Sequence, residues 1–182
     1  MQRKPTLEEI RAASGKTIPD IIAPDLYVLF CGINPSLYSA AVGHHFARPG
    51  NRFWRSLHAA GFTERLLTPF EDSDLLQSRY GLTNIVDRAT ARADQLDAEE
   101  LVTGKQQLAA KVEQYRPKFL AVLGISAYRT AFNRPKAVVG QQDESLYSAI
   151  IWVLPNPSGL NAHYQIEDLK RVYRELLVAV KS

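Results

Sequence analysis

Two short segments, more than a hundred residues apart, hold the residue types that could do chemistry. Gly32-Ile33-Asn34-Pro35-Ser36 follows the apolar run Leu26–Cys31, and Asn156-Pro157-Ser158-Gly159-Leu160 follows the apolar run Ile150–Leu154. Each reads as a buried strand that ends in a polar turn. Parallel strands bring such turns together at their carboxyl ends, where ligands bind. Asn, Ser, Gly and one exposed Leu supply no strong acid or base. They suit hydrogen bonding to a nucleobase, contact with phosphate and a wedge driven into a duplex.

Other chemistries lack their residues. There is no Walker loop, no dinucleotide-binding glycine signature, no HExxH and no GxSxG. The single cysteine, Cys31, lies in an apolar strand and excludes an intrachain disulfide framework or a Cys-ligated iron–sulfur cluster. The four histidines (His44, His45, His58, His163) have no zinc-site spacing. Neither a metal nor an organic cofactor is expected.

The elements that must position these turns can be read along the chain. Thr6 with Glu9 three residues on has the spacing of a capping box and opens a short helix, Thr6–Ser14. Leu26–Cys31 is the first strand, and Tyr38–Gly50 is a loop rich in Gly, His and Pro. Asn51 is read as the N-cap of a helix, Arg52–Ala60, that Gly61 stops. Phe70–Tyr80 reads as helical, Leu82–Val86 as the second strand, and Arg88–Gln95 as a polar loop. Asp97 can cap a helix over Ala98–Tyr115, which must end before Pro117. Phe119–Leu123 is a third strand, Ser126–Phe132 a helix, and Ile150–Leu154 a fourth strand. Ile166, Leu169, Val172, Tyr173, Leu176 and Val180 form the apolar stripe of a closing amphipathic helix. Alternating helices and continuously apolar strands predict an α/β fold: a three-layer sandwich with a central, mainly parallel sheet of about four strands and helices on both faces.

At 182 residues, 46% apolar and 23% charged, the chain fits one soluble domain, residues 1–182. No apolar run is long enough to span a membrane, and the polar N-terminus lacks an apolar signal core, so a cytoplasmic protein is expected. The net charge of +3 is unevenly spread: residues 1–70 carry all of it, and residues 71–182 balance to zero. No acid occurs from Leu26 to Thr63, a window with Arg48, Arg52 and Arg55, nor from Ser145 to Ile166. Both polar turns fall in these windows, which suits an anionic partner.

In its motifs the chain resembles the mismatch-specific uracil/thymine DNA glycosylases, a branch of the uracil-DNA glycosylase superfamily. The matching stretches are Gly32-Ile33-Asn34-Pro35, Phe46-Ala47-Arg48-Pro49-Gly50-Asn51-Arg52-Phe53-Trp54, Thr83-Asn84-Ile85-Val86-Asp87-Arg88 and Leu154-Pro155-Asn156-Pro157-Ser158-Gly159-Leu160. They run in order, with similar spacing, from about Ile21 to the C-terminus. The resemblance implies a uracil-DNA glycosylase-like fold and gives Asn34 the catalytic part. An amide is no base, but it can orient a water below the sugar C1′. Departure of the base as an anion would then depend on positioned donors.

By the same resemblance Ile33, Phe46 and Asn84 surround the base. Phe46 stacks on the flipped pyrimidine, and Asn84 bonds to its edge, where some relatives carry Lys. Asn156 stands where relatives in other branches have His. Ser158, Gly159, Leu160, Asn161 and His163 form the loop that enters the duplex, with Leu160 as wedge and Ser158 donating to a phosphate. Asn161-Ala162-His163 replaces the Ser-Arg of a close relative. Arg48, Arg52 and Arg55 would neutralise phosphates, whereas Phe53, Trp54 and Trp152 read as core. His44 and His45 are expected to face solvent or phosphate. Asp87 pairs with Arg88 or caps its loop. Asp94 is either a solvated loop residue or a carboxylate near the site entrance able to activate water.

The expected activity is therefore hydrolysis of the N-glycosidic bond of uracil, chiefly opposite guanine, with thymine and alkylated cytosine as further candidates. The expected partner is double-stranded DNA containing uracil mismatches, met by a monomer in the cytoplasm. Two other readings fit the same residues: a DNA protein that recognises mismatches without cutting a bond, and a nucleotide-processing hydrolase of the same fold class.

Overall fold

A computed structural model describes residues 3–182. Five strands form one sheet in the order β2-β1-β3-β5-β4. Four of them, β1 (Val28–Gly32), β2 (Tyr80–Asn84), β3 (Phe119–Leu123) and β5 (Ala149–Leu154), are parallel, as the alternation of strands and helices predicts. The fifth, β4 (Gly140–Leu146), pairs antiparallel with β5 at one edge, so the expected count of four is one short. Its sequence, GQQDESL, is half exposed along its whole length and carries no apolar run to betray it.

The sheet is covered on both faces. On one face Phe30 of β1 meets Phe53 and Phe62 edge to face, at centroid distances of 5.6 and 5.4 Å. There it joins α3 (Phe53–Ala60) and α6 (Ile166–Lys181), which bring Leu57, Leu169, Val172 and Tyr173 into the same core. On the other face Leu29, Leu120 and Ile151 pack against Leu101, Leu108 and Val112 of α4 (Ala98–Tyr115) and Tyr128 of α5 (Ile125–Ala131). Each large apolar side chain so buried contributes about 1.5–3 kcal/mol relative to exposure. Asp97 caps α4 through a complete capping box, as its spacing predicts.

Several local boundaries differ from expectation, among them β2, which spans Tyr80–Asn84 and not Leu82–Val86. A short helix, α2 (Leu37–Val42), capped by Ser36 and ended by left-handed Gly43, lies where a loop is predicted. Arg52, not Asn51, is the N-cap of α3, although the Asn51 side chain accepts the Phe53 N–H at 2.9 Å. Pro69–Ser78 is a kinked 3-10 helix rather than an α-helix. The N-terminal helix α1 spans only Leu7–Arg11 behind its Thr6–Glu9 capping box.

Candidate active site

Parallel pairing puts the carboxyl ends of β1, β2, β3 and β5 along one side of the sheet. The β1–β2 register sets Gly32 beside Asn84, and the β3–β5 register sets Leu123 beside Leu154. A pocket of about 550 Å³ opens at these ends. Asn34, Ile33, Phe46, Asn84, Asn156, Ser158 and Leu160 all line it, so the fold brings the separated motifs together.

Asn34 is held by its amide nitrogen. Nδ2 donates to the Arg88 carbonyl at 2.9 Å and to Thr90 Oγ1 at 2.7 Å. The Arg88 carbonyl can only accept. The Thr90 hydroxyl gives its own proton to the Arg92 carbonyl at 2.7 Å, so towards Asn34 it too can only accept. The orientation of the amide is thereby fixed, and Oδ1 is left without a protein partner among the described residues. That oxygen can accept a hydrogen bond from a water molecule and so orient one of the water's lone pairs for attack.

Asn84 stands in the opposite condition. It is only 6% exposed, yet its amide makes no hydrogen bond to any described residue. A Cβ on Gly32 would come within 2.5 Å of Asn84 Oδ1 and 3.3 Å of the Phe46 ring, so glycine is what lets these groups close on the pocket floor. Phe46 adopts a left-handed backbone (φ 54°) and stacks one face on Phe53 at 4.2 Å. The amide atoms of Asn84 are not fully enclosed: the residue lines the pocket, where a ligand can meet them. Ile33 lies against Gly124, where a Cβ would come within 3.0 Å of Ile33 Cδ1.

The loop after β5 is built from its own side chains. Asn156 Oδ1 accepts the Ser158 N–H at 3.0 Å, and Ser158 Oγ accepts the Leu160 N–H at 3.3 Å. Asn161 donates to the Asn156 carbonyl at 3.0 Å and accepts the His163 N–H at 3.2 Å, so most of its amide is spent inside the loop instead of on DNA. Gly159 sits on Gly50, with no room for a Cβ. Leu160 projects from this frame with 69% of its surface exposed, and His163 is exposed beside it.

Several sequence expectations need correction. Arg52 is buried and does not reach a phosphate: its guanidinium donates to the carbonyls of Ser158 (2.7 Å), Asn161 (2.9 Å) and Tyr164. It holds the loop instead. Arg48 and Arg55 are exposed and make no ion pair with another described residue. His45 is buried, with Nε2 against the Pro19 carbonyl at 2.9 Å, and His44 lies 3.1 Å from Asp72. Asp87 pairs with Lys111 at 3.5 Å, while Arg88 turns to Glu100 and, through that hydrogen bond, holds the Glu100 carboxyl down to about 2. Asp94 lines the pocket, but its carboxylate faces solvent and pairs with Arg92 at 2.5 Å. Thr90 escaped the sequence reading altogether. A lone Thr between two alanines in a polar loop was the only hint of it.

Burial pushes the His45 imidazole below its usual range, against the opposing pull of the Pro19 carbonyl and Asp72. The unfolded chain takes up a proton as pH falls through about 6.5, and the folded chain resists. Stability should therefore fall on acidification below that point, by at most about 1.4 kcal/mol per pH unit from this group. Melting temperatures between pH 7.5 and 5.5 should show it, and His45→Gln should flatten the slope. Equal slopes in both proteins would refute this assignment.

Among the described residues no group of three or more His, Cys, Asp or Glu side chains could hold a metal ion, and no helix is long and apolar enough to cross a membrane. The uracil DNA glycosylase superfamily model matches residues 19–177, and the chain belongs to that superfamily. Membership carries the activity class, hydrolysis of an N-glycosidic bond in DNA. The fold is also that of a candidate uracil DNA glycosylase from Methanosarcina acetivorans, solved by solution NMR. The two chains are 19% identical and superpose with a TM-score of 0.58 over 90% of this chain and 98% of the other.

Proposed function

We propose that the protein is a monofunctional glycosylase that flips uracil out of duplex DNA and removes it, chiefly opposite guanine. One observation carries the reading: two amides in one pocket are set in opposite states. Asn34 has both N–H groups committed and its oxygen free, as a water-orienting group needs. Asn84 is buried with its donors and acceptors unused, as a base-reading group needs. The free face of Phe46 would take the pyrimidine, and Leu160 would fill the space it left in the stack. Flipping costs a few kcal/mol, least at a mismatch, which favours U·G over U·A. Water oriented by Asn34 attacks C1′ as the bond to the base breaks; the base leaves as an anion, the proton shed by the water passes to the solvent or the departing base, and no Lys enters as a nucleophile. Thymine and alkylated cytosine opposite guanine are the further substrates to try. On this reading the protein works as a monomer on the nucleoid, within the cytoplasm.

The test is release of free uracil and formation of abasic sites from U·G, U·A, T·G and single-stranded substrates, with EDTA present and no metal added. Uracil release from U·G, at rates above U·A, is the expected result. Loss of activity with chelator, or strand breaks without an abasic product, would sink the proposal. Tight duplex binding without release would favour a mismatch-binding protein, and release from mononucleotides alone a nucleotide hydrolase.

A further inference from the structure

The superfamily match begins at residue 19, yet the chain before it is firmly built in. Ala13 has no exposed surface and Ile18 has 8%; they pack with Ala40 and Ala89, against Leu37 and Ala41. Leu37, Ala40 and Ala41 belong to α2, which begins three residues after Asn34. Ala89 lies between Arg88 and Thr90, the two residues that take the amide hydrogens of Asn34. Its peptide groups bond only to the N-terminal segment. The Gly15 N–H donates to the Ala89 carbonyl at 2.9 Å, and the Ala89 N–H donates to the Lys16 carbonyl at 2.8 Å.

We infer that residues 13–18 are a brace that positions the Asn34 amide for catalysis, an inference that rests on the glycosylase reading above. Two acceptors one residue apart on either side of Ala89 must stay within reach of a single nitrogen. Displacing Ala89 pulls one or both away and frees the amide to turn. Thr90 is tied to the Pro35 carbonyl and bridged to Ser36, and the Arg88 side chain is gripped by Glu100, but the peptide groups of Ala89 between them are held by residues 15 and 16. Ile18 reaches the pocket wall, but Ala13 and Gly15 do not line it; Gly15 acts through Ala89, and Ala13 through Ala89 and Ala40 of α2. A shift of about 1 Å in a positioned group can cost about 10²-fold in rate.

Two substitutions loosen the brace without touching the site. Ala13→Asp places a carboxylate in the buried contact with Ala40 and Ala89. Gly15→Val strains a backbone at φ 75° where the space around a Cβ is open. Single-turnover release should fall about 10-fold or more in Ala13→Asp, equally on duplex and single strand, with DNA affinity within about twofold of wild type. Gly15→Val should move the same way by less, and Ala13→Ser should restore the rate. The side-chain amide protons of Asn34, followed by NMR, should exchange faster in step with the loss. A full rate in both variants overturns the inference. Should Ala13→Asp fail to fold, Gly15→Val, at an exposed position, decides by the same measures. If the wild-type protein releases no base from any DNA, the glycosylase reading fails by itself. The brace is then judged on exchange alone, and an unchanged Asn34 amide in Gly15→Val overturns it.

Discussion

Asn34→Ala should remove nearly all base release, by about 10³-fold, while Asp94→Ala keeps most of it; a lost water-activating group costs 10²–10⁴-fold. The two residues line one pocket but differ in restraint. Asn34 is fixed by two hydrogen bonds from one nitrogen, with its oxygen unpaired. Asp94 is 62% exposed and paired with Arg92 on a short 3-10 turn. Single-turnover rates at saturating enzyme separate chemistry from binding. A fall of about 10²-fold in Asp94→Ala, with affinity intact, would transfer the water to the carboxylate. An active Asn34→Ala would remove the amide from the mechanism.

Arg52→Met should behave like a loss of the wedge and not like a loss of a phosphate contact. Methionine keeps an apolar stem but leaves the carbonyls of Ser158, Asn161 and Tyr164 without their donor. These carbonyls are part-buried, so each orphaned acceptor costs about 1 kcal/mol, the low end of the range for buried groups. In a protein of this size a total near 3 kcal/mol lowers the melting temperature by about 6–12 °C. Release from duplex should drop about 10²-fold, as in Leu160→Ala, with a much smaller change on single strands, because only a duplex has a stack to open. The salt dependence of DNA affinity should stay as in wild type, whereas Arg48→Met should reduce its slope by about 1. Wild-type stability with a flattened salt slope in Arg52→Met would return Arg52 to the DNA surface.

What the sequence made legible followed from its strongest physical signals. Continuously apolar runs marked three of the parallel strands, β1, β3 and β5, whereas β2, with Gly, Thr and Asn in YGLTN, was placed two residues late; the polar turns after the strands marked the pocket. Asp97 and Thr6 announced their helices by cap spacing, and the apolar stripe from Ile166 marked α6. Polarity misled in both directions. It hid β4, an edge strand with no buried face, and it sent Arg52 and His45 outwards although the fold buries each against backbone carbonyls. Those partners lie 26 to 112 residues away, beyond any local pattern. Thr90 was missed for the same reason: its partner is Asn34, 56 residues earlier.

The polar strand that sequence patterning overlooked also shapes how the molecule behaves among its own copies. An open sheet ends in rows of unpaired peptide groups, templates for another chain. Here β4 closes one border with Gln141, Gln142, Asp143 and Glu144 and an irregular register against β5. At the other border Ile21 exchanges two hydrogen bonds with Leu82 of β2. Neither margin invites strand-by-strand stacking, so the fold guards against fibril-like self-association without a covering subunit.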